Sequence, residues 1–245
     1  MKLLLCLSLA FFFQQGCETV KTQSTNQKLE TKSAQQIKAT PTPKREKKSM
    51  NDKESLAKGI EAINPSMAEI IRSEKSKIAT LETSFLRDGE IYLVKKFSPT
   101  RMIQIYIGTS DEQTFLIGGE AERYYEFIEK AKPILDRDEL RIAYLKNFLQ
   151  VTKTGKGRFK IVESVDEIKE RPNLKDQQKQ EFAKFIEKYK HIIKPPKQTN
   201  NESKYEFFVI KDQSLVKLTL KIIDGYKVEQ SEEVLEEKLL IPYTI

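Results

Sequence analysis

Cysteine is nearly missing from this 245-residue chain: Cys6 and Cys17 are the only two. Both lie within the first seventeen residues, so everything downstream must hold its fold by burial, without a disulfide. Histidine is scarcer still, with His191 alone, whereas zinc and copper sites are ordinarily assembled from several Cys and His side chains. No metal and no cofactor is therefore expected. Tryptophan is absent, which removes the best side chain for stacking on a sugar ring. No run of apolar residues approaches the roughly 20 that a helix needs to cross a bilayer. Motif chemistry is thin as well. The chain has no GxSxG elbow, no GxxxxGK[ST] phosphate loop and no calcium-loop pattern. It also lacks any motif of a nucleic-acid-binding module.

What is present begins at the N-terminus. Lys2 supplies one positive charge, and eleven residues follow, Leu3 to Phe13, of which only Ser8 is polar. A basic start with an apolar core of about 7–15 residues has the form of a secretory signal. The chain then turns polar at Gln14-Gln15 and reaches Gly16-Cys17. A small residue directly before a cysteine, just past the apolar core, resembles the lipobox of bacterial lipoproteins. The resemblance covers Met1 to Cys17 only, and Gln14 stands where leucine is typical. It implies cleavage of residues 1–16 and acylation of Cys17, so that the membrane is held without a spanning helix. Glu18 rather than Asp follows the cysteine, which by the same resemblance favours the outer membrane over the inner one.

Residues 17–55 are rich in Lys, Gln, Thr and Ser and poor in large apolar side chains, a composition that cannot offset the entropy of ordering. They read as a disordered basic tether. As a coil, such a segment reaches roughly 35 Å. Nine Lys/Arg against five Asp/Glu give it a charge of +4, and Lys2 adds one more, so only +2 of the net +7 belongs to the remaining residues. Basicity next to a membrane could favour anionic lipid by about 1 kcal/mol per charge.

Residues 56–245 read as a single α+β domain, with a possible sub-boundary near 195–204. Leu56, Ile60 and Ile63 are helically spaced, Asn64-Pro65 restarts the helix, and the apolar stripe of Met67, Ile70, Ile71, Ile78 and Leu81 predicts helix to about Glu82. Three short strands follow: Ile91 to Phe97, Met102 to Ile107 and Gln113 to Ile117. Two helices come next, one over Ala121 to Leu135 stopped by Pro133, the other opened by an Asp136/Glu139 capping box and carrying Leu140 to Val151. Arg158 to Glu163 is a short strand. Asn173 is placed to cap a last helix carrying Leu174 to Ile193, stopped by Pro195-Pro196. After a polar loop at Gln198 to Ser203 come Tyr205 to Lys211, Leu215 to Ile223 and Tyr226 to Val234, turning at Asp212-Gln213 and Asp224-Gly225, with Leu239 to Ile245 as an edge strand. Antiparallel segments at about 91–117 and 205–245, packed with three or four amphipathic helices, make an α+β fold.

Few residues carry chemistry. Asp136, Asp138 and Glu139 are close enough in sequence for paired-carboxylate work on a glycoside, but helix capping explains two of them. His191 lies near a helix end between Lys190 and Lys194. Gly155-Lys156-Gly157-Arg158 could cradle an anion, although a helix-to-strand turn accounts for it. Tyr125 and Tyr144 sit on apolar stripes with their hydroxyl positions undecided. The expected function is a membrane-anchored envelope lipoprotein whose domain binds or assembles with a protein partner and does not bind nucleic acid. A cell-wall hydrolase using carboxylates and a structural accessory subunit of an envelope complex are the alternatives. Lipidation at Cys17 is directly testable. Mass spectrometry of the membrane-extracted protein should find an acylated N-terminal Cys17, and Cys17→Ala should leave the precursor uncut or release a soluble form.

Overall fold

The computed structural model describes residues 53–98, 102–153, 157, 159–199 and 203–242. Cys17 and the proposed tether up to residue 52 lie outside the described residues. Lys53, the first described residue, already lies in a helix, three residues before Leu56. Helix α1 (Lys53–Glu61) presents Leu56, Ala57 and Ile60 to the interior. Asn64 caps helix α2 (Pro65–Arg72) by accepting the Met67 N–H at 3.1 Å, with Pro65 in the first turn. The Arg72 guanidinium bridges the two helices, 3.0 Å from Glu54 and 2.9 Å from Glu61.

The helix expected to run to Glu82 stops at Arg72. Ser73 donates its N–H to the Glu69 and Ile70 carbonyls, and Ser76 Oγ reaches back to Ile70 O. Ser76 then opens a strand, β1 (Ser76–Thr80), so Ile78 lies on a sheet. That strand pairs antiparallel with β2 (Glu90–Phe97), which pairs with β3 (Met102–Ser110), which pairs with β4 (Gln113–Leu116). Ser110 faces Gln113 across a two-residue turn in which Asp111 and Glu112 both have positive φ, 46° and 65°.

Helix α3 (Ala121–Ala131) ends at Lys132, which is left-handed at φ 53°, and Pro133 follows. Helix α4 (Asp138–Lys153) starts two residues after Asp136, so the expected capping box does not open it. Strand β5 (Phe159–Val162) and a single 3-10 turn lead to helix α5 (Asp176–Tyr189). Lys175, not Asn173, stands at its start, where the Lys175 N–H donates to Gln178 Oε1 at 3.1 Å. Asn173 is instead left-handed at φ 62°.

In the second sheet, β6 (Lys197–Thr199), β7 (Lys204–Lys211), β8 (Ser214–Ile223) and β9 (Lys227–Glu236) join β5, and the main path runs β5-β7-β8-β9. Strand β6, expected to be loop, pairs with the Lys204 end of β7, while β5 pairs with its Lys211 end. The last turn contains three residues, since Ile223 faces Lys227 across Asp224-Gly225-Tyr226. Leu239 and Ile241 are buried, but no strand forms at residues 239–242. There Leu239 donates its N–H to Gln213 O, and Leu240 O accepts from the Arg171 N–H. The fold is α+β, with two antiparallel sheets and five α-helices among the described residues, more helices than the periodicity suggests.

Strand alternation sorts the core into three clusters. Tyr92, Val94, Ile105 and Ile107 on one face of the first sheet are covered by Leu56, Ile60, Ala68 and Ile71 of α1 and α2. Ile91, Leu93 and Tyr106 on its other face meet α3 and α4, which also meet Tyr205, Phe207, Val209, Val216, Leu218 and Leu220 of the second sheet. The far face of that sheet, Phe208, Ile210 and Leu215, is covered by Phe185 and Tyr189 of α5. The order of layers is therefore helix, sheet, helix, sheet, helix. Packing between the first sheet and α3 is tight. A Cβ added at Gly108, in β3, would lie 2.5 Å from Cδ2 of the fully buried Phe127 ring. Gly108→Ala should therefore cost about 1–3 kcal/mol by overpacking, read as a lowered Tm or denaturant midpoint.

Candidate functional site

The carboxylates singled out in the sequence do not converge. Asp138 Oδ1 accepts from the Tyr205 hydroxyl at 2.9 Å and from Arg141 Nη1 at 3.1 Å. Arg141 in turn donates through Nε to Leu135 O at 2.7 Å. Asp138 thus ties the start of α4 to β7 of the second sheet. Burial raises the Tyr205 pKa, and the Arg141 guanidinium hydrogen-bonded to its oxygen opposes that rise. Asp136 is exposed and faces only Arg137, 3.7 Å away. Glu139 points elsewhere, onto an open groove of about 280 Å³ that Glu82, Ala143 and Lys146 also line. His191 is exposed in the turn after α5.

Of Gly155-Lys156-Gly157-Arg158, all but Gly157 lie outside the described residues. Gly157 is left-handed at φ 101°, and a Cβ there would lie 2.9 Å from Asp212 Oδ1, which explains glycine at that point. Two Ser-x-x-Lys spacings, Ser55–Lys58 and Ser214–Lys217, do not provide an activated serine. Lys58 is exposed on α1, and Lys217 Nζ is 2.5 Å from Glu233 Oε2. No group of three or more His, Cys, Asp or Glu able to hold a metal occurs among the described residues, and no described helix is long and apolar enough to cross a membrane.

The polar chemistry that is built in serves the middle layer. Tyr124 is fully buried and donates to Asn147 Oδ1 at 2.9 Å. The Tyr144 hydroxyl donates to the Tyr226 carbonyl. Tyr125 Oη accepts the Val228 N–H at 2.9 Å and donates to the Val228 carbonyl at 3.4 Å. Two tyrosines, one from α3 and one from α4, therefore fasten the Asp224-Gly225 hairpin and the start of the outer strand β9. Rings complete the contact: Tyr125 stacks on Phe148 at 5.7 Å, and Tyr144 meets Phe85 edge-on at 5.5 Å. Periodicity marks these side chains as core, but the hydroxyl partner of Tyr125 lies 103 residues away along the chain and cannot be read from spacing.

No family model matches the chain, and no curated protein or solved structure matches it.

The tyrosine cluster sets a pH limit. Burial is the main cause that raises the pKa of Tyr124, Tyr125 and Tyr144 above the usual phenol value of about 10. Their contribution to stability is complete below that value and is lost as pH rises further, because the unfolded chain can release protons that the folded one retains. In an alkaline titration, tyrosinate absorbance for these residues should appear together with loss of the far-UV signal. Tyr144→Phe should reduce stability at neutral pH by about 1–3 kcal/mol, since it leaves the Tyr226 carbonyl without that donor.

Proposed function

We propose that the chain is a lipid-anchored cell-envelope protein, carried by acylated Cys17 at the outer membrane and held off it by the basic segment 17–55. Its α+β domain acts by binding or assembly with an envelope partner and performs no turnover. The observation that carries the non-enzymatic part is the engagement of Asp138 by Tyr205 and Arg141, together with the dispersal of Asp136, Glu139 and His191. Near-isosteric replacement tests it. Asp136→Asn, Asp138→Asn, Glu139→Gln and His191→Gln should each preserve whatever phenotype deletion removes, with Asp138→Asn lowering stability by about 1 kcal/mol through its weakened bond to Arg141.

A second reading rests on the groove beside α4. Glu82 and Glu139 both line it, and a carboxylate hydrolase of wall glycans would need two such groups in one cleft. Loss of the phenotype in Glu82→Gln or Glu139→Gln, with the protein folded and abundant, would establish that reading in place of the first.

A further inference from the structure

One end of the first sheet differs from the rest of the surface. Phe97 and Met102 face each other across the β2–β3 pair at its hairpin end, where residues 98–101 join the two strands, and they are 52 % and 48 % exposed. Four lysines lie near them, Lys77 and Lys95 on the Phe97 face of the sheet and Lys96 on the other. Lys95 and Lys96 precede Phe97 on β2, Lys77 faces Lys95 across the β1–β2 pair, and Lys75 lies one residue before β1. The only carboxylate in residues 73–77, 94–98 and 102–104 is Glu74. None of the four lysines has a hydrogen-bond or ion-pair partner among the described residues. Lys188, Lys211, Lys217 and Lys227, around the second sheet, by contrast each pair with a carboxylate, although Lys197 and Lys221 of that sheet do not among the described residues.

The first described residue lies near this same end. Lys53, the first described residue, donates through Nζ to Ser73 O at 3.1 Å. Ser73 O also accepts the Ser76 N–H at 2.9 Å, and Ser76 is the register partner of Lys96. Lys53 and the exposed Phe97–Met102 pair therefore belong to one end of the domain.

We propose that this end of the sheet is a membrane contact, in which Phe97 and Met102 enter the headgroup region and Lys75, Lys77, Lys95 and Lys96 pair with anionic phospholipid. An exposed apolar pair flanked by cations is the chemistry that recognises an anionic lipid surface. An acidic protein would match the lysines but would not by itself call for the apolar pair. The inference rests on the anchored reading for the side of the domain that meets lipid, because Lys53, the described residue nearest Cys17 in sequence, lies beside these lysines.

The absence of tryptophan supplies the test. Phe97→Trp places a single reporter at the tip, and Ile192→Trp places one at an exposed site after α5. Each full chain, extracted from membranes, is reconstituted on vesicles of phosphatidylglycerol and brominated phosphatidylcholine. The tip reporter should shift to the blue and lose most of its emission to the brominated chains, and the reporter after α5 should do neither. Changing the four lysines to Gln should abolish the difference. A chain that floats with the vesicles while the tip reporter stays water-exposed overturns the contact and leaves the anchor standing. Quenching of the tip reporter in a Cys17→Ala chain with residues 2–16 removed overturns the anchor as a requirement and keeps the contact. Failure of both flotation and quenching overturns both. A blue shift without bromine quenching means that protein covers the tip, and it replaces the lipid contact with a protein one.

Discussion

The middle helical layer has sheets on both sides, and this double burial constrains most of the structure. A helix at the surface of a domain needs one apolar stripe. Helix α4 instead buries Leu140, Tyr144, Leu145, Phe148, Leu149 and Val151, together with Asn147 and Thr152. Polar groups taken into such a layer must find partners there, because leaving one unpaired costs about 1–3 kcal/mol. Asn147 receives Tyr124, Thr152 donates to Phe148 O, and no buried side-chain polar atom among the described residues lacks a partner. The Tyr144 and Tyr125 hydroxyls find theirs on the backbone at Tyr226 and Val228, so the same requirement that satisfies the helices also fixes the outer hairpin of the second sheet.

That arrangement also explains which features are legible in the sequence. Turns are, because their chemistry is local. Asp212-Gln213 forms its hairpin, and Asp224-Gly225 marks another, although Tyr226 lengthens the loop. Asn64-Pro65 starts a helix as its residue types dictate. The strand at Ser76–Thr80 reads as helix because Ile70, Ile71, Ile78 and Leu81 fit a helical period as well as they fit a break followed by a strand. What decides is pairing with β2, a partner supplied from later in the chain. Strand β6 has only polar side chains, Lys197, Gln198 and Thr199, and exists because β7 offers it an edge. The number of layers is hidden for a related reason. Periodicity reports that a face is apolar, but not that both faces of a strand or helix are covered.

The candidate site is legible only as an inventory. Asp136, Asp138 and Glu139 sit within four residues of one another, yet the start of α4 turns them toward Arg137, Tyr205 with Arg141, and an open groove. Capping by Asp136 and Glu139 fails in detail, while a structural duty for this acidic run holds for Asp138 through a contact with β7 that no local rule contains. Nothing in the sequence singles out Phe97 and Met102, since a strand end with one apolar residue is ordinary. Their facing position, and the clustering of lysines on two adjacent strands and the turn before them, emerge only from strand register.

Charge placement then distinguishes the two ends of the domain. Around the second sheet, four lysines, Lys188, Lys211, Lys217 and Lys227, are matched by Glu236, Glu232, Glu233 and Asp224. Exposed pairs of that kind add little stability, about 0–1 kcal/mol each, but they neutralise the surface. At the β2–β3 hairpin end of the first sheet Lys75, Lys77, Lys95 and Lys96 have no such match among the described residues, and Lys53 lies close to them. A lipid contact there would be weak in isolation. Under the proposed anchor, however, it becomes an intramolecular event, with an effective lipid concentration set by a tether whose reach is roughly 35 Å. A weak patch is then sufficient to orient the domain on the membrane.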